Sequence, residues 1–291
     1  IKNKPLQKLL LPGTHHSGSY RVDEITKIAP HCLSNKWSIH QGSSIIEQLQ
    51  LGIRFFDLPV VYTDELEFRV SHVYRGVTIL EIIDQIQTFL TRYPDEFIVI
   101  NVRQFINSQN QSWTFGEHEQ FFKSCLVKLP LIATENSKWT LEQLWSKSER
   151  VLLMYGSHDQ LVDQILPLLS VYPLSVNGYT DMIDISPNTS LSERVFQKIS
   201  NSLNQSSWTN SFVKTQVLTT VDTKTVILGT IFPCFYPSST RVKARYFRGK
   251  LVEWCQENLF LLNIIVLDWV DDQDVSALVL LNCTHPTQVS I

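Results

Sequence analysis

This chain of 291 residues lacks most of the signatures that announce a function. None of its five cysteines (Cys32, Cys125, Cys234, Cys255, Cys283) forms a Cys-x-x-Cys pair, which removes the common zinc and dithiol motifs. An odd count fits a reducing compartment with buried thiols. Charged residues are scarce, 18% against a usual level of about 25%. The net charge of −3 argues against a general nucleic-acid binder. No apolar run reaches the roughly 18 residues that cross a bilayer. The longest candidate, Leu259 to Val270, is interrupted by Asn263 and Asp268. Repeats, low-complexity tracts and linkers are missing, so residues 1–291 read as one domain. The chain opens on Ile1 rather than Met, so secretion stays open beside the expected cytoplasmic or peripheral-membrane location. Sequons at Asn110, Asn188, Asn204 and Asn282 are too easily met by chance to decide it.

What is present is an aromatic-rich interior and an alternation of strand and helix patterns. Short strands are expected at Lys8–Leu11, Ile53–Leu58, Leu66–Val70, Phe97–Val102, Arg150–Tyr155 and Ile264–Trp269. Helices are expected at Ile45–Leu51, closed by Gly52, and at Thr78–Tyr93, capped by Thr78 with Glu81 completing a capping box. Further helices are expected at Glu117–Leu126, Thr140–Ser146, Ser190–Leu203, Val242–Asn258 and Val275–Leu281; Val226–Ile231 fits strand or helix. Asn201 to Ser211 reads as a loop. The alternation predicts an α/β fold with a parallel sheet. Its polar residues follow several strands spread over the whole chain, which suits a closed barrel with one shared mouth.

The residues that carry chemistry begin with Pro12-Gly13-Thr14-His15-His16-Ser17, where an apolar run stops in a small-residue turn. A second short strand closes at His72. Two imidazoles at two strand ends can supply one base and one acid, because their pKa lies near neutrality. Asp268 sits at the end of an apolar strand, where a carboxylate needs a partner. Asp57 reads as a strand-end cap or a partner of Arg54. His31, His40, His118, His158 and His285 read as surface or packing residues, and Asp271, Asp272 and Asp274 as a solvated loop. Lys243, Arg245, Arg248 and Lys250 read as a solvated helix face, with contact to anionic headgroups or an acidic partner as the functional alternative.

Pro12-Gly13-Thr14-His15-x-Ser17, then Gln48-Leu49-x-x-Gly52-Ile53-Arg54-Phe55-Phe56-Asp57, then Ser71-His72, resembles the X domain of phosphatidylinositol-specific phospholipase C. Tyr93 to Ile100, Leu141-x-x-Leu144-Trp145 and Asn263 to Trp269 extend the likeness over nearly the entire chain. The resemblance implies a distorted TIM-like (β/α) barrel and a phosphodiesterase, a phosphoric diester hydrolase acting on a phospholipid. It implies His15 as the base, His72 as the acid and Asp268 behind His15. It also implies a peripheral membrane surface and an inositol-phosphate headgroup as partners.

Two positions depart from the pattern. His16 stands where the family has Asp, or Asn in calcium-dependent relatives. Pro59 stands where it has Arg, or Asp in the calcium branch. Phosphoryl transfer needs charge stabilised on the non-bridging oxygens, and proline supplies none. Arg103, Arg75 and His16 are the expected substitutes at the phosphate, with Asp57 in the same substrate-binding set. Calcium is not expected, since too few oxygen ligands remain, and no other metal or cofactor is implied. The same departures support an alternative: an impaired enzyme kept as a binding or structural module in a protein assembly.

Overall fold

The computed structural model describes residues 2–21, 36–71, 75–132, 139–156, 176–178, 182–204, 211–234 and 239–284. Ten strands form one sheet. They are β1 (Leu11–Thr14), β2 (Phe55–Tyr62), β3 (Phe68–Ser71), β4 (Arg75–Thr78), β5 (Ile98–Asn107), β6 (Val151–Tyr155), β7 (Val176–Gly178), β8 (Met182–Ile185), β9 (Phe212–Gln216) and β10 (Ile264–Leu267). Eight run parallel in the order β7-β6-β5-β2-β1-β10-β9-β8. β3 and β4 add an antiparallel hairpin to the far end of β2. The helices between them are α1 (Ile45–Leu51), α2 (Ile79–Arg92), α3 (Phe115–Ser124), α4 (Leu141–Trp145), α5 (Val195–Leu203), α6 (Thr223–Ile231), α7 (Thr240–Arg245), α8 (Arg248–Asn258) and α9 (Asp272–Thr284).

Strand side chains alternate between two faces, and the two faces fall into two separate cores. Phe56, Ile100, Leu153, Val213 and Ile265 pack outward with Ile82, Ile86, Phe121, Ile199 and Leu278 of the helices. Leu11, Phe55, Val99, Leu152, Met154, Met182, Phe212, Ile264 and Val266 pack inward in a second cluster drawn from seven strands. Leu6, Ile132, Trp139 and Leu144 complete that cluster. One sheet whose inner faces share a core of their own is a distorted TIM-like barrel. Gly13 is required inside it: a Cβ there would lie 2.9 Å from the Phe55 ring.

Local chemistry explains most boundaries. Ser44 and Glu47 form a capping box on α1, and Gly52, at φ 109°, closes it through its N–H to Gln48 and Leu49 carbonyls. Thr78 accepts from the Glu81 N–H at the start of α2. The Glu81 carboxylate does not complete the expected box; it accepts from the Tyr20 hydroxyl at 2.9 Å and pairs with Arg21. Four other expectations are corrected. β1 begins at Leu11, after a short 3-10 turn at Leu6–Lys8. β2 and β5 continue to Tyr62 and Asn107, because each extends to pair beyond the barrel rim. The expected helix Val242–Asn258 is two helices, α7 and α8, and Val226–Ile231 belongs to α6. The expected loop at Asn201 begins inside α5, which runs to Leu203.

Candidate active site

Six of the eight parallel strands carry their chemistry on the inward positions that follow their apolar ones. Inward Phe55 is succeeded two residues on by Asp57, Val99 by Asn101 and then Arg103, Met182 by Asp184, Phe212 by Lys214, and Val266 by Asp268. Leu11 is followed by Gly13 and then His15. The period of two thus places a polar ring at the carboxyl-terminal end of the barrel, above an apolar plug.

The turn after β1 is sewn to its neighbours. The His15 N–H donates to the Leu267 carbonyl at 2.9 Å. Gln41 Nε2 donates to both the His15 and Leu267 carbonyls, at 2.9 and 3.0 Å. Gln48 accepts from the Thr14 hydroxyl at 2.8 Å and donates to the Ser17 carbonyl at 2.9 Å. These bonds explain why a Gln48-Leu49 helix, a Pro-Gly-Thr-His turn and a distant strand recur as one pattern: they form a single frame around His15.

Within the frame, His15 Nδ1 donates to Asp268 Oδ1 at 3.0 Å. His40 Nδ1 donates to the same oxygen at 3.1 Å. Burial pushes Asp268 upward, but the His40 and His15 charges and hydrogen bonds outweigh it and hold the carboxyl well below its usual range. Burial lowers the pKa of His15 further than Asp268 raises it, so the ring is neutral at pH 7. Its Nδ1 is fixed as the donor, and the lone pair lies on Nε2.

A second carboxylate lies beside the first. Asp57 is fully buried. Arg103 meets it with two bonds of 2.7 Å, from Nε and a terminal nitrogen. Lys214 Nζ lies 3.7 Å from Asp57 and 2.6 Å from Asp184. Asn101 donates to Asp57 at 3.1 Å. Burial again pushes the carboxyl up, and Arg103 and then Lys214 reverse the shift and hold it far below its usual range. Pro59 sits opposite Arg103 in the β2–β5 ladder, with an irregular register beginning there.

Residues 29–154 match the family model for the X domain of phosphatidylinositol-specific phospholipase C. The chain is 32% identical over 178 residues to mouse PI-PLC X domain-containing protein 2, a match covering 53% of this chain and 50% of that protein. It is 26% identical over 251 residues to the human protein of that name, covering 79% and 78%. The chain is thus similar to the PI-PLC X-domain family, most directly over residues 29–154. In three dimensions it is similar to phosphatidylinositol-specific phospholipase C of Listeria monocytogenes, with a TM-score of 0.66 at 16% identity over 96% of this chain and 94% of that one. The Staphylococcus aureus enzyme gives 0.68 at 15%, with the same coverage. These likenesses bear out the barrel. The best-matching stretch spans half of the mouse relative's length.

Against this X-domain frame the expected residues sort unevenly. His15, His16, Asp57, Arg103 and Asp268 stand together in the mouth. His72 lies outside the described residues, as do His31, His158 and His285. Arg75 lies on the outlying β4 and pairs with Glu65 at 3.2 Å. Asp57 is not a partner of Arg54, which pairs with Glu96 at 2.8 Å; Asp57 faces into the barrel, where Arg103 reaches it.

Several residues were assigned too little by sequence. His40 is not an ordinary packing histidine: it is buried, and its ring centroid lies 5.0 Å from that of His15 and 4.8 Å from that of His16. Nothing around Ile39-His40-Gln41 signals this, since its partner Asp268 is 228 residues away. Lys214 carried a readable signal, a lysine in the strand Phe-Val-Lys-Thr-Gln in register with inward Phe212. His118 does pack, donating or accepting at 2.6 Å with the Tyr155 hydroxyl. The acidic run is no solvated loop. Asp271 accepts from the Asp274 N–H at the start of α9, and Arg248 pairs with both Asp271 and Asp274. The basic run is only partly a solvated face, because Lys243 is buried beside Thr220 and Arg248 is engaged by those carboxylates.

Proposed function

We propose that this chain is a phosphodiesterase acting on an inositol phospholipid at a membrane surface, with His15 as the general base. The observation that carries the reading is the His15–Asp268 bond at the carboxyl-terminal mouth of an X-domain barrel. A neutral imidazole whose Nδ1 is held by a buried carboxylate presents Nε2 as a proton acceptor. A hydroxyl two carbons from the phosphate oxygen gives up its proton to His15 and attacks phosphorus. His72 donates the proton that the leaving diacylglycerol oxygen requires, and a cyclic phosphate is the product. Arg103 and Lys214, the cations on Asp57 in the same mouth, stabilise charge on the phosphate in place of the arginine absent at Pro59. No helix among the described residues is long and apolar enough to cross a membrane, so lipid is reached from the aqueous side.

A second reading has its own observation. Both Arg103 bonds are spent on Asp57, and His16 and Pro59 replace the family's Asp and Arg. A barrel with its cations committed internally suits a binding module without turnover. One experiment separates the two: incubation with phosphatidylinositol vesicles, with and without calcium, beside His15→Ala. The hydrolase reading expects turnover that falls about 10²–10⁴-fold in the variant. Equal background turnover in both proteins leaves the binding module.

A further inference from the structure

We propose that His15, His16 and His40 form a binding site for a single borderline-soft divalent cation such as Zn²⁺. The inference stands apart from the hydrolase reading, because binding alone tests it.

Three observations converge. Among the described residues, these three histidines are the group that brings His, Cys, Asp or Glu donors together, with one nitrogen from each within 4.8 Å of the others. Their rings meet edge-on or tilted, at centroid distances of 3.9, 4.8 and 5.0 Å. A tetrahedral zinc holds its nitrogens about 3.3 Å apart at Zn–N distances near 2.0–2.1 Å, so the widest pair must close by roughly 1.5 Å.

Asp268 then fixes which nitrogens are offered. An ionised carboxylate can only accept, and one oxygen of Asp268 meets both His15 Nδ1 and His40 Nδ1. Both rings therefore keep Nδ1 on Asp268 and turn Nε2 away from it. A carboxylate behind a histidine that presents its far nitrogen is the arrangement that orients metal-bound imidazoles and raises their basicity. Here one carboxylate does this for two rings at once.

The third element is the backbone of His16. Its φ of 44° lies in the left-handed region, which histidine, like Asn and Asp, enters more readily than most residues. That conformation places the His16 ring against the His15 ring rather than on the opposite side of the strand. Three imidazoles with a fourth position left to water or a phosphate oxygen match the donor set of a nitrogen-ligated zinc and exclude calcium, which takes oxygen. The position that holds Asp or Asn elsewhere in the resemblance has here become the third nitrogen. A bound ion occupies the Nε2 lone pair that proton abstraction needs, so metal and proton compete for His15.

The test is titration of the full chain with Co²⁺ and with Zn²⁺, read by absorption and calorimetry. The expected result is one ion per chain with tetrahedral cobalt bands, displaced by zinc. His16→Asn, which tolerates the left-handed backbone, and His40→Gln are each expected to weaken binding at least about tenfold. Circular dichroism checks that both variants remain folded. Absence of stoichiometric binding by the parent overturns the proposal. So does binding in which both variants retain the parent's affinity, since the chain's other histidines would then be the ligands.

Discussion

Two buried carboxylates stand in the same barrel mouth, and their partners differ in kind. Asp57 is held by Arg103 and Lys214, a guanidinium and an ammonium. Asp268 is held by His15 and His40, rings that can be neutral, protonated or metal-bound. Both carboxyls are kept well below their usual range against the effect of burial. The first arrangement pairs a carboxylate with cations and offers no proton acceptor of its own. The second has reactivity left over on two Nε2 atoms. The comparison teaches that burial of an acid does not by itself mark chemistry: the titratability of its partners does.

The largest effect expected from breaking this contrast is on stability at the Asp57 site. Asp57→Asn strips the partly exposed Arg103 of its counter-charge, leaves the buried Lys214 with Asp184 alone, and should lower unfolding free energy by up to about 3–5 kcal/mol in urea. A loss below about 1 kcal/mol would mean that solvent already screens the cluster. The same site sets an acid limb. A carboxyl whose folded pKa is depressed stabilises the fold at neutral pH, and that contribution fades as pH falls below the unfolded value of about 3.9. The parent should therefore lose stability steadily below pH 4, and Asp57→Asn should lose less.

Asp268→Asn is the matched change at the other carboxylate. The partners there are two imidazole hydrogen bonds rather than a guanidinium and an ammonium, and the expected cost is about 1–2 kcal/mol, smaller than at Asp57. Its effect on turnover should be the greater of the two relative to stability, a fall of about 10²–10⁴-fold, because the amide no longer fixes the tautomer of His15. Equal stability costs for the two substitutions, measured by denaturation at pH 7, would erase the distinction drawn between permanent and titratable partners.

A third carboxylate sharpens it at the small end. Burial first, then the neighbouring Asp271, pushes Asp274 up to about 6 despite Arg248. A carboxyl raised on folding opposes stability once pH exceeds its unfolded value, and fully so above its folded value. Asp274→Asn should therefore be more stable than the parent by up to about 1 kcal/mol at pH 7, after allowing for the lost contact with Arg248. By pH 4 the advantage should vanish. A melting-temperature difference independent of pH would refute the assignment.

How much of this was legible depended on the distance over which each feature is decided. Helices α1, α2 and α4 carry their caps within three or four residues, and their positions match expectation closely. β4, β8 and β9 escaped notice, because short strands of mixed polarity become strands only against a neighbour. At the site, the Pro-Gly-Thr-His turn and Asp268 were visible as local anomalies, a histidine pair in a turn and a charge ending an apolar strand. His40 was not, since a lone histidine in Trp-Ser-Ile-His-Gln carries no pattern. Arg103 was visible as a cation at a strand end, yet its commitment to Asp57 depended on the inward face that two parallel strands share.

By itself the order of residues determined the alternation of strand and helix, the caps, and the period-two lines on which apolar residues give way to polar ones. Those features follow from torsional preference and hydrophobic spacing, both of which act within a few residues. Which charges pair, which ring lies behind which carboxylate, and where three imidazoles converge were decided only when the sheet curled round and closed its interior. Coulombic and metal–ligand interactions act over a few ångströms of space, and only tertiary folding brings residues more than 200 positions apart within that range.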